Sequence, residues 1–381
     1  MDGVKLTFVV QVPPSTPPGA PVWISGNLPA LGSWNGAGVR LDSLGGGRFA
    51  GGVTVERGAA LEFKVTRGSW ETVEKDAAGG EIANRRWQVA GGDTVRVTVG
   101  AWRDQTEGRA AGRPVTLTGD IRRHPGFPSR FVRSRDVLVY LPPGYAADST
   151  RRYPVLYFHD GNNVFDGATS FIPGQEWGVD ETAERLIRSH AVPPFIAVAI
   201  ANSPDRMAEY TPAADARHGG GHAGDYARFL IEELKPFVDS TYRTLPAAAS
   251  TGVVGSSLGG IVSLWLGLEH PEVFRLVGCI SPAAWWADGD IIRRAAAARP
   301  GALRIWLDIG TREGGSDSDR VQALAGARAL REALEKRGER EGADFHYEEV
   351  EGAEHNERAW AARVDRLLRF LLAPAPAGKG R

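Results

Sequence analysis

The chain has 381 residues, of which 42% are apolar and 24% charged, a composition typical of a globular protein with room for two domains. The formal net charge is −1, and acidic and basic side chains are interspersed, so the sequence does not predict a nucleic-acid-binding surface. A single cysteine, Cys279, excludes an internal disulfide and a cysteine-based zinc cluster.

The N-terminal segment, MDGVKLTFVV, has no charged region followed by a long apolar run, so no signal peptide is expected. A cytoplasmic protein fits this, and so does a secreted or periplasmic protein that has lost its export signal. No apolar run reaches 18 residues, so no transmembrane helix and no membrane partner are predicted.

The first hundred residues have the pattern of an all-β domain. Short runs rich in Val, Thr, Phe and Trp are separated by Gly, Pro and Asp, and no helical periodicity is visible. We predict a small β-sandwich over residues 1–103 and a linker over 104–115. The predicted strands are VKLTFVVQV, PVWISG, RFAGGVTV, ALEFKVTR, RRWQVA and DTVRVTVG.

From about residue 150 apolar strands alternate with amphipathic helices. This alternation predicts an α/β domain with a doubly wound, mostly parallel sheet over residues 116–373, followed by a flexible tail over 374–381. The predicted strands are YPVLYFHD, PFIAVAI, TGVVG, LVGCIS, LRIWLDIG and FHYEEV. The predicted helices are DETAERLIRSH, DYARFLIEELKPFVDSTY, SLGGIVSLWLGLEH, DRVQALAGARALREALEKRGER and NERAWAARVDRLLRFLL.

The segment GSSLG places Ser257 between the strand TGVVG and the helix that follows it. In a chain with 48 glycines this pattern can arise by chance, and an ordinary turn is the alternative. At a strand-to-helix turn, however, a serine hydroxyl projects over the carboxyl edge of the sheet, and the helix N-terminus favours a developing oxyanion. The context therefore favours Ser257 as a nucleophile.

His355 is the candidate base, because it follows the last strand and precedes the final helix. His159 beside the third strand, and His270 as a helix cap, have structural explanations. His218 and His222 in HGGGH resemble a weak metal pair without a further ligand, so a loop is favoured and no metal is predicted.

The orienting acid is expected between Ser257 and His355 in the chain, as in the order Ser–acid–His of α/β-hydrolases. Glu313, just past the strand LRIWLDIG, is favoured. Asp308 lies within that strand and Asp317 fits a helix N-cap, but both stay open as alternatives. The backbone N–H groups of Leu258 and Asn162 are the expected oxyanion donors, and this chemistry needs no cofactor.

Several ordered motifs resemble one known family. YPVLYFHDGNNVFD, EYTPA, GSSLGG, SPAAWW, DIGTREG and GAEHNERAW resemble the putative-esterase family, which includes feruloyl and acetylxylan esterases, esterase D-like enzymes and enterochelin esterases. The resemblance covers roughly residues 115–373. It implies an α/β-hydrolase fold and a serine hydrolase of carboxylic esters, with Ser257 as nucleophile and His355 as base. Family members often have Asp where this chain has Glu313.

The N-terminal segments VWISGNLPALGSWN, ALEFKVTRGSWE and NRRWQV resemble the starch-binding family 20 carbohydrate-binding module. The resemblance implies a sugar platform of Trp34 and Trp70, with Lys64 and Asn84 bonding sugar hydroxyls. Flat aromatic faces suit the apolar face of a pyranose ring. Packing of these tryptophans in the core or at its edge is the alternative.

Three further tryptophans are candidates for the substrate pocket: Trp177, Trp285 and Trp286. Together these features predict a serine esterase that removes acetyl or feruloyl groups from a polysaccharide or oligosaccharide held by the N-terminal domain. One alternative is a siderophore trilactone esterase or another small-ester hydrolase, with basic-pocket candidates Arg206, Arg217 and Arg312. The other alternative is a non-catalytic glycan-binding protein. The oligomeric state is not predicted.

Overall fold

A computed structural model describes residues 3–32, 34–77, 79–80, 82–106, 115–172, 174–314 and 316–373. The chain divides into two compact units, residues 1–114 and 115–381. The expected tail over 374–381, and residues 107–114 of the expected linker, lie outside the described residues. Among the residues that are described, every helix is too short or too polar to span a bilayer.

The N-terminal unit is built from short strands with small hairpin connections. Its main sheet has seven strands in the order β7-β5-β2-β3-β4-β1-β8, and β6 pairs with β9. The strands are β1 Gly3–Gln11, β2 Val22–Gly26, β3 Val39–Gly45, β4 Arg48–Glu56, β5 Ala60–Thr66, β6 Glu74–Lys75, β7 Arg85–Gln88, β8 Thr94–Thr98 and β9 Ala101–Trp102.

Strand β3 connects two parts of this sheet, whose inner side chains form a hydrophobic core. Its first residues pair with β2, and its last residues pair with β4 across a register shift, so β3 connects the two halves of the sheet. Phe8 on β1 and Phe63 on β5 then meet edge to face, with ring centroids 5.1 Å apart. Alternating side chains such as Leu6, Phe8 and Val10 are fully buried, as the period of a strand requires.

The C-terminal unit has an eight-stranded sheet in the order β10-β11-β13-β12-β16-β17-β18-β19. Strands β10 and β11 pair antiparallel, as do β11 and β13; from β13 to β19 all neighbours are parallel. The strands of this sheet are β10 Asp120–Phe127, β11 Arg135–Leu141, β12 Val155–Phe158, β13 Ile196–Ile200, β16 Thr251–Ser256, β17 Leu276–Ile280, β18 Arg304–Gly310 and β19 Phe345–Val350. Two further strands, β14 Ala214–Asp215 and β15 Gly219–Gly220, form a separate antiparallel pair.

Helices flank the large sheet, and a separate hydrophobic cluster lies on each of its faces. The helices of this unit are α2 Val179–Arg188, α3 Arg206–Glu209, α4 Ala223–Arg228, α5 Lys235–Thr241, α6 Leu258–Glu269, α7 Trp286–Ala297, α8 Asp317–Arg337 and α9 Glu357–Leu371; a short helix, α1 Arg103–Thr106, belongs to the N-terminal unit. A π-helical segment, Phe229–Leu234, joins α4 to α5. The central strands β12, β13, β16 and β17 are buried along their whole length, as expected for strands covered on both faces.

The fold class predicted from the sequence is confirmed: an α/β-hydrolase-type sheet follows a β-rich N-terminal domain. Two of the longer elements, β3 and α7, were not predicted, and neither were the short strands β6, β9, β14 and β15 and the one-turn helix α3. The one-turn helix α1 begins at Arg103, the last residue of the predicted sandwich, and continues into the predicted linker as far as Thr106.

Candidate active site

The candidate catalytic side chains follow three parallel strands of the large sheet. Ser257 comes directly after β16, Glu313 three residues after β18, and His355 five residues after β19. Because the carboxyl ends of parallel strands meet at one edge of a sheet, all three residues lie along the edge where ligands bind in such folds.

Ser257 occupies a strained turn between β16 and α6. Its backbone has φ 58° and ψ −120°, which a residue with a Cβ rarely adopts. The Ser257 N–H is held by the carbonyl oxygens of Ile280 and Ser281, at 3.0 and 3.2 Å. A Cβ on Gly255 would lie 2.6 Å from backbone atoms of Gly259, so glycine is needed for the strand and helix to approach this closely.

His355 and Glu313 are hydrogen-bonded partners. His355 Nδ1 lies 2.8 Å from Glu313 Oε2; the carboxylate is buried, whereas the imidazole is partly exposed. The other oxygen of Glu313 accepts the Gly310 N–H at 2.7 Å and the Ser281 hydroxyl. Burial alone would raise the pKa of Glu313, but the hydrogen bond and charge of His355, with the Ser281 and Gly310 donors, hold that pKa below its usual value. Glu313 is thus kept as a carboxylate facing the imidazole.

The two alternative acids lie elsewhere. Asp308 is fully buried and pairs with Arg363 and with Trp306 Nε1; burial raises the pKa of its carboxyl despite the nearby charge of Arg363. Asp317 is the first residue of α8, and its side chain is 95% exposed beside Arg320. In the described structure neither carboxylate is the hydrogen-bond partner of His355, and Glu313 is.

Arg363 on α9 was not predicted as part of the site. Its side chain is fully buried and bonds Asp308, the Ser281 hydroxyl (3.0 Å) and, at 3.5 Å, Glu313 Oε1. A cation between two buried carboxylates offsets the cost of burying them. Arg363 is one of several arginines in the α9 sequence, and the others nearby are exposed. Nothing in the sequence indicates that Arg363 is the buried one.

The two backbone N–H groups expected as oxyanion donors each lie in the first turn of a helical segment. Leu258 is the first residue of α6 and Asn162 the second residue of the short 3-10 turn Gly161–Asn163, so neither N–H has an acceptor within its own helix. The preceding Asp160, with φ 54°, is buried and forms a two-pronged ion pair with Arg206 at 2.6 and 2.7 Å. Asp160 and Arg206 thus hold the base of the 161–163 turn, a contact that the sequence did not indicate.

A family model described as "Putative esterase" matches residues 129–371. The chain belongs to this family. Membership of this family makes the chain a carboxylic ester hydrolase, which sets aside the non-catalytic alternative.

Three relatives illustrate the match. The chain is 26% identical to the uncharacterized protein YbbA of Bacillus subtilis over 204 residues, covering 52% of this chain and 74% of YbbA. It is 25% identical to a siderophore enterobactin esterase of Emericella nidulans over 216 residues, 51% of this chain and 70% of that protein. The N-terminal part is similar to a segment of an alpha-amylase of Niallia circulans, 42% identical over 104 residues, which is 26% of this chain and 8% of the amylase.

Two solved structures share the fold. The enterobactin esterase FES of Shigella flexneri, determined in the presence of enterobactin, superposes with a TM-score of 0.54 and 18% identity over 97% of this chain and 94% of that one. A ferulic acid esterase of Anaeromyces mucronatus superposes with a TM-score of 0.50 and 19% identity over 68% of this chain and 92% of that one.

Three other histidines of this esterase have surroundings unlike those of His355. His159 is fully buried with Nδ1 2.9 Å from the Tyr226 hydroxyl, and burial lowers its pKa to about 3. His218 bonds Asp215 at 2.7 Å, and His222 is exposed. Across the part of the chain that the structure describes, no group of three or more potential ligand side chains is arranged to hold a metal ion.

The three pocket tryptophans differ in exposure. Trp177 is buried between Phe158 and Trp360, and is therefore part of the core rather than an exposed wall. Trp286 is also buried, with its Nε1 donating to the Ala213 carbonyl. Trp285 is 43% exposed. Of the three, Trp285 is the one with a face available to a ligand.

In the N-terminal unit, Trp34 and Trp70 lie side by side. Their ring centroids are 6.0 Å apart with a tilt of 39°, and Trp70 Nε1 donates to the Trp34 carbonyl at 2.9 Å. Both polar residues expected to bind sugar hydroxyls have partners within the protein. The Lys64 side chain is buried with its ammonium on the Ile82 carbonyl, and Asn84 donates to Glu62 at 3.2 Å.

Proposed function

We propose that this esterase works through Ser257, His355 and Glu313 by acyl transfer. The observation that carries the proposal is the 2.8 Å hydrogen bond between His355 and buried Glu313, at the same sheet edge as the strained turn of Ser257. An acid that holds the imidazole by Nδ1 leaves Nε2 to act on the serine hydroxyl.

The reaction proceeds in two halves. Ser257 Oγ attacks the ester carbonyl while His355 Nε2 takes its proton; the N–H groups of Leu258 and Asn162 stabilise the oxyanion. The alcohol leaves with the proton from His355, and an acyl-Ser257 ester remains. His355 then takes a proton from water as the water oxygen attacks the acyl carbon, and it returns that proton to Ser257 Oγ when the acyl–Oγ bond breaks and the carboxylic acid departs. Glu313 stabilises the imidazolium in both halves.

We further propose that the substrate is an acylated polysaccharide or oligosaccharide bearing acetyl or feruloyl groups. Paired, partly exposed Trp34 and Trp70 rings suit stacking on pyranose faces, and the N-terminal part is similar to a segment of an alpha-amylase. The exposed face of Trp285, two residues beyond the Ala283 that donates its N–H to the Ser257 carbonyl, suits contact with the acyl group or a sugar.

The siderophore alternative has support of its own from the similarity to an enterobactin esterase of Emericella nidulans. An anionic catecholate substrate would favour a basic pocket. The charge of Arg206 is already paired with Asp160, which weakens that candidate as a ligand for an anion.

Acid release from four esters tests both proposals: p-nitrophenyl acetate, acetylated xylan, methyl ferulate and a catecholate trilactone. We expect wild type to hydrolyse the nitrophenyl ester and Ser257→Ala to lose at least about 10³-fold in kcat. The fastest natural ester decides between polysaccharide and siderophore. Equal activity of the alanine variant would remove Ser257 from the mechanism.

A further inference from the structure

Ser281 contacts both the nucleophile and the acid of the proposed triad. It is fully buried and comes directly after β17, with φ 43°. Its carbonyl oxygen accepts the Ser257 N–H at 3.2 Å, and its hydroxyl donates to Glu313 Oε1. One residue therefore touches the turn that carries the nucleophile and the carboxylate that holds the base.

The neighbouring donors and acceptors determine the direction in which the Ser281 hydroxyl donates its proton. A hydroxyl has one proton to donate and two lone pairs to accept. Trp360 Nε1 at 3.1 Å and Arg363 Nη1 at 3.0 Å are both donors and occupy the lone pairs. The proton is thus directed to Glu313. The backbone N–H of Ser281 is held by the Asp308 carbonyl at 2.9 Å, which fixes the strained turn.

We propose that Ser281 is a positioning residue that couples the Ser257 turn to Glu313, holding one carboxylate oxygen so that the other faces His355. This inference rests on the proposed triad. Without the hydroxyl, Glu313 Oε1 keeps only the Gly310 N–H and the distant Arg363, and the carboxylate can rotate away from the imidazole. The buried Trp360 Nε1 also loses its acceptor.

The coupling predicts a change in pH dependence. The charged and titratable groups that face Glu313 are His355 from the loop after β19, Arg363 from α9 and Asp308 from β18. A donor to a carboxylate lowers its proton affinity, so removal of the Ser281 donor raises the proton affinity of the Glu313 carboxylate. Protonation then abolishes activity at a higher pH than in wild type, and the acid limb of kcat/KM moves upward.

The experiment compares the pH profiles of wild type, Ser281→Ala, Ser281→Gly and Ser257→Ala with p-nitrophenyl acetate. Glycine suits the positive φ and keeps the carbonyl, so it provides a second variant if alanine impairs folding. Ser263→Ala is the matched control, because its buried hydroxyl donates only to the Gly259 carbonyl of its own helix.

We expect both Ser281 variants to lose about tenfold or more in kcat with little change in KM, and their acid limb to move up by about one pH unit. The control is expected to keep the wild-type limb. A Ser281 variant that matches the control in kcat and pH profile overturns the coupling alone. A wild type without Ser257-dependent turnover overturns the proposed function, and this inference with it.

Discussion

A glutamate at position 313 uses its two oxygens for different tasks. Oε2 holds the imidazole of His355, while Oε1 is held by Gly310, Ser281 and Arg363. A carboxylate fixed at one oxygen presents the other in a single direction, which is how a distant strand end can orient a base with precision.

Glu313→Gln tests this arrangement at the residue scale. The amide keeps the size of the side chain but loses the negative charge that stabilises the imidazolium, so kcat for p-nitrophenyl acetate is expected to fall by about 10²–10⁴-fold. Asp317→Asn is the matched control, since the Asp317 side chain is 95% exposed on α8. Steady-state kinetics of both variants provide the test. Similar losses in both variants would contradict the assignment of Glu313.

The sequence predicted the residues with a chemical signature and missed those that act only through others. Ser257, His355 and Glu313 follow predicted strands, so their positions at one sheet edge could be inferred from chain order. Ser281 lies in the quoted motif SPAAWW, but nothing in that motif shows where its hydroxyl points. The burial of Arg363 depends on the three-dimensional position of α9, which helical spacing alone does not give.

At the scale of elements, the close crossing of β16 and α6 creates the turn at Ser257. Gly255→Ala would place a methyl group 2.6 Å from the Gly259 backbone, so strand and helix must separate. We expect the free energy of unfolding to fall by about 1–3 kcal/mol, and esterase activity to fall as the Ser257 turn shifts. Denaturant titration and kinetics measure both effects.

Gly224→Ala on α4 is the control for this substitution, because a Cβ there meets no atom within 4 Å. Alanine at that helical position should leave stability unchanged or raise it by up to about 1 kcal/mol. If Gly255→Ala behaves in the same way, close packing at the turn does not set the geometry of Ser257.

The predicted elements correspond closely to the observed ones where the apolar pattern is strong, and fail where the backbone departs from regular geometry. In helix α7, Ala287, Asp288 and Gly289 have positive φ, so the backbone is not helical at these three residues. The apolar side chains therefore do not repeat at helical spacing along the whole segment. Strand β3 pairs with β2 over one part and β4 over another, and most of its side chains are exposed. Neither α7 nor β3 therefore has the regular spacing of apolar residues from which helices and strands are predicted.

At the scale of the whole molecule, each unit has its own hydrophobic core, and all groups of the proposed triad belong to residues 115–381. If the N-terminal unit binds glycan, it raises the concentration of polymer near the active site and does not change the rate of ester hydrolysis itself. Loss of glycan binding should therefore slow the hydrolysis of polymeric esters and leave the hydrolysis of small esters unchanged.

The double variant Trp34→Ala/Trp70→Ala tests this separation in the full chain. Loss of both rings removes the stacking surface, so we expect the retardation of the protein in starch or xylan gels to disappear. KM for acetylated xylan should rise, while kcat/KM for p-nitrophenyl acetate stays at the wild-type value. Trp87→Phe is the control, because Trp87 packs against the core of the same unit. If the double variant migrates like wild type in both gels and hydrolyses xylan equally well, the tryptophan pair serves packing alone, and the substrate is a small ester.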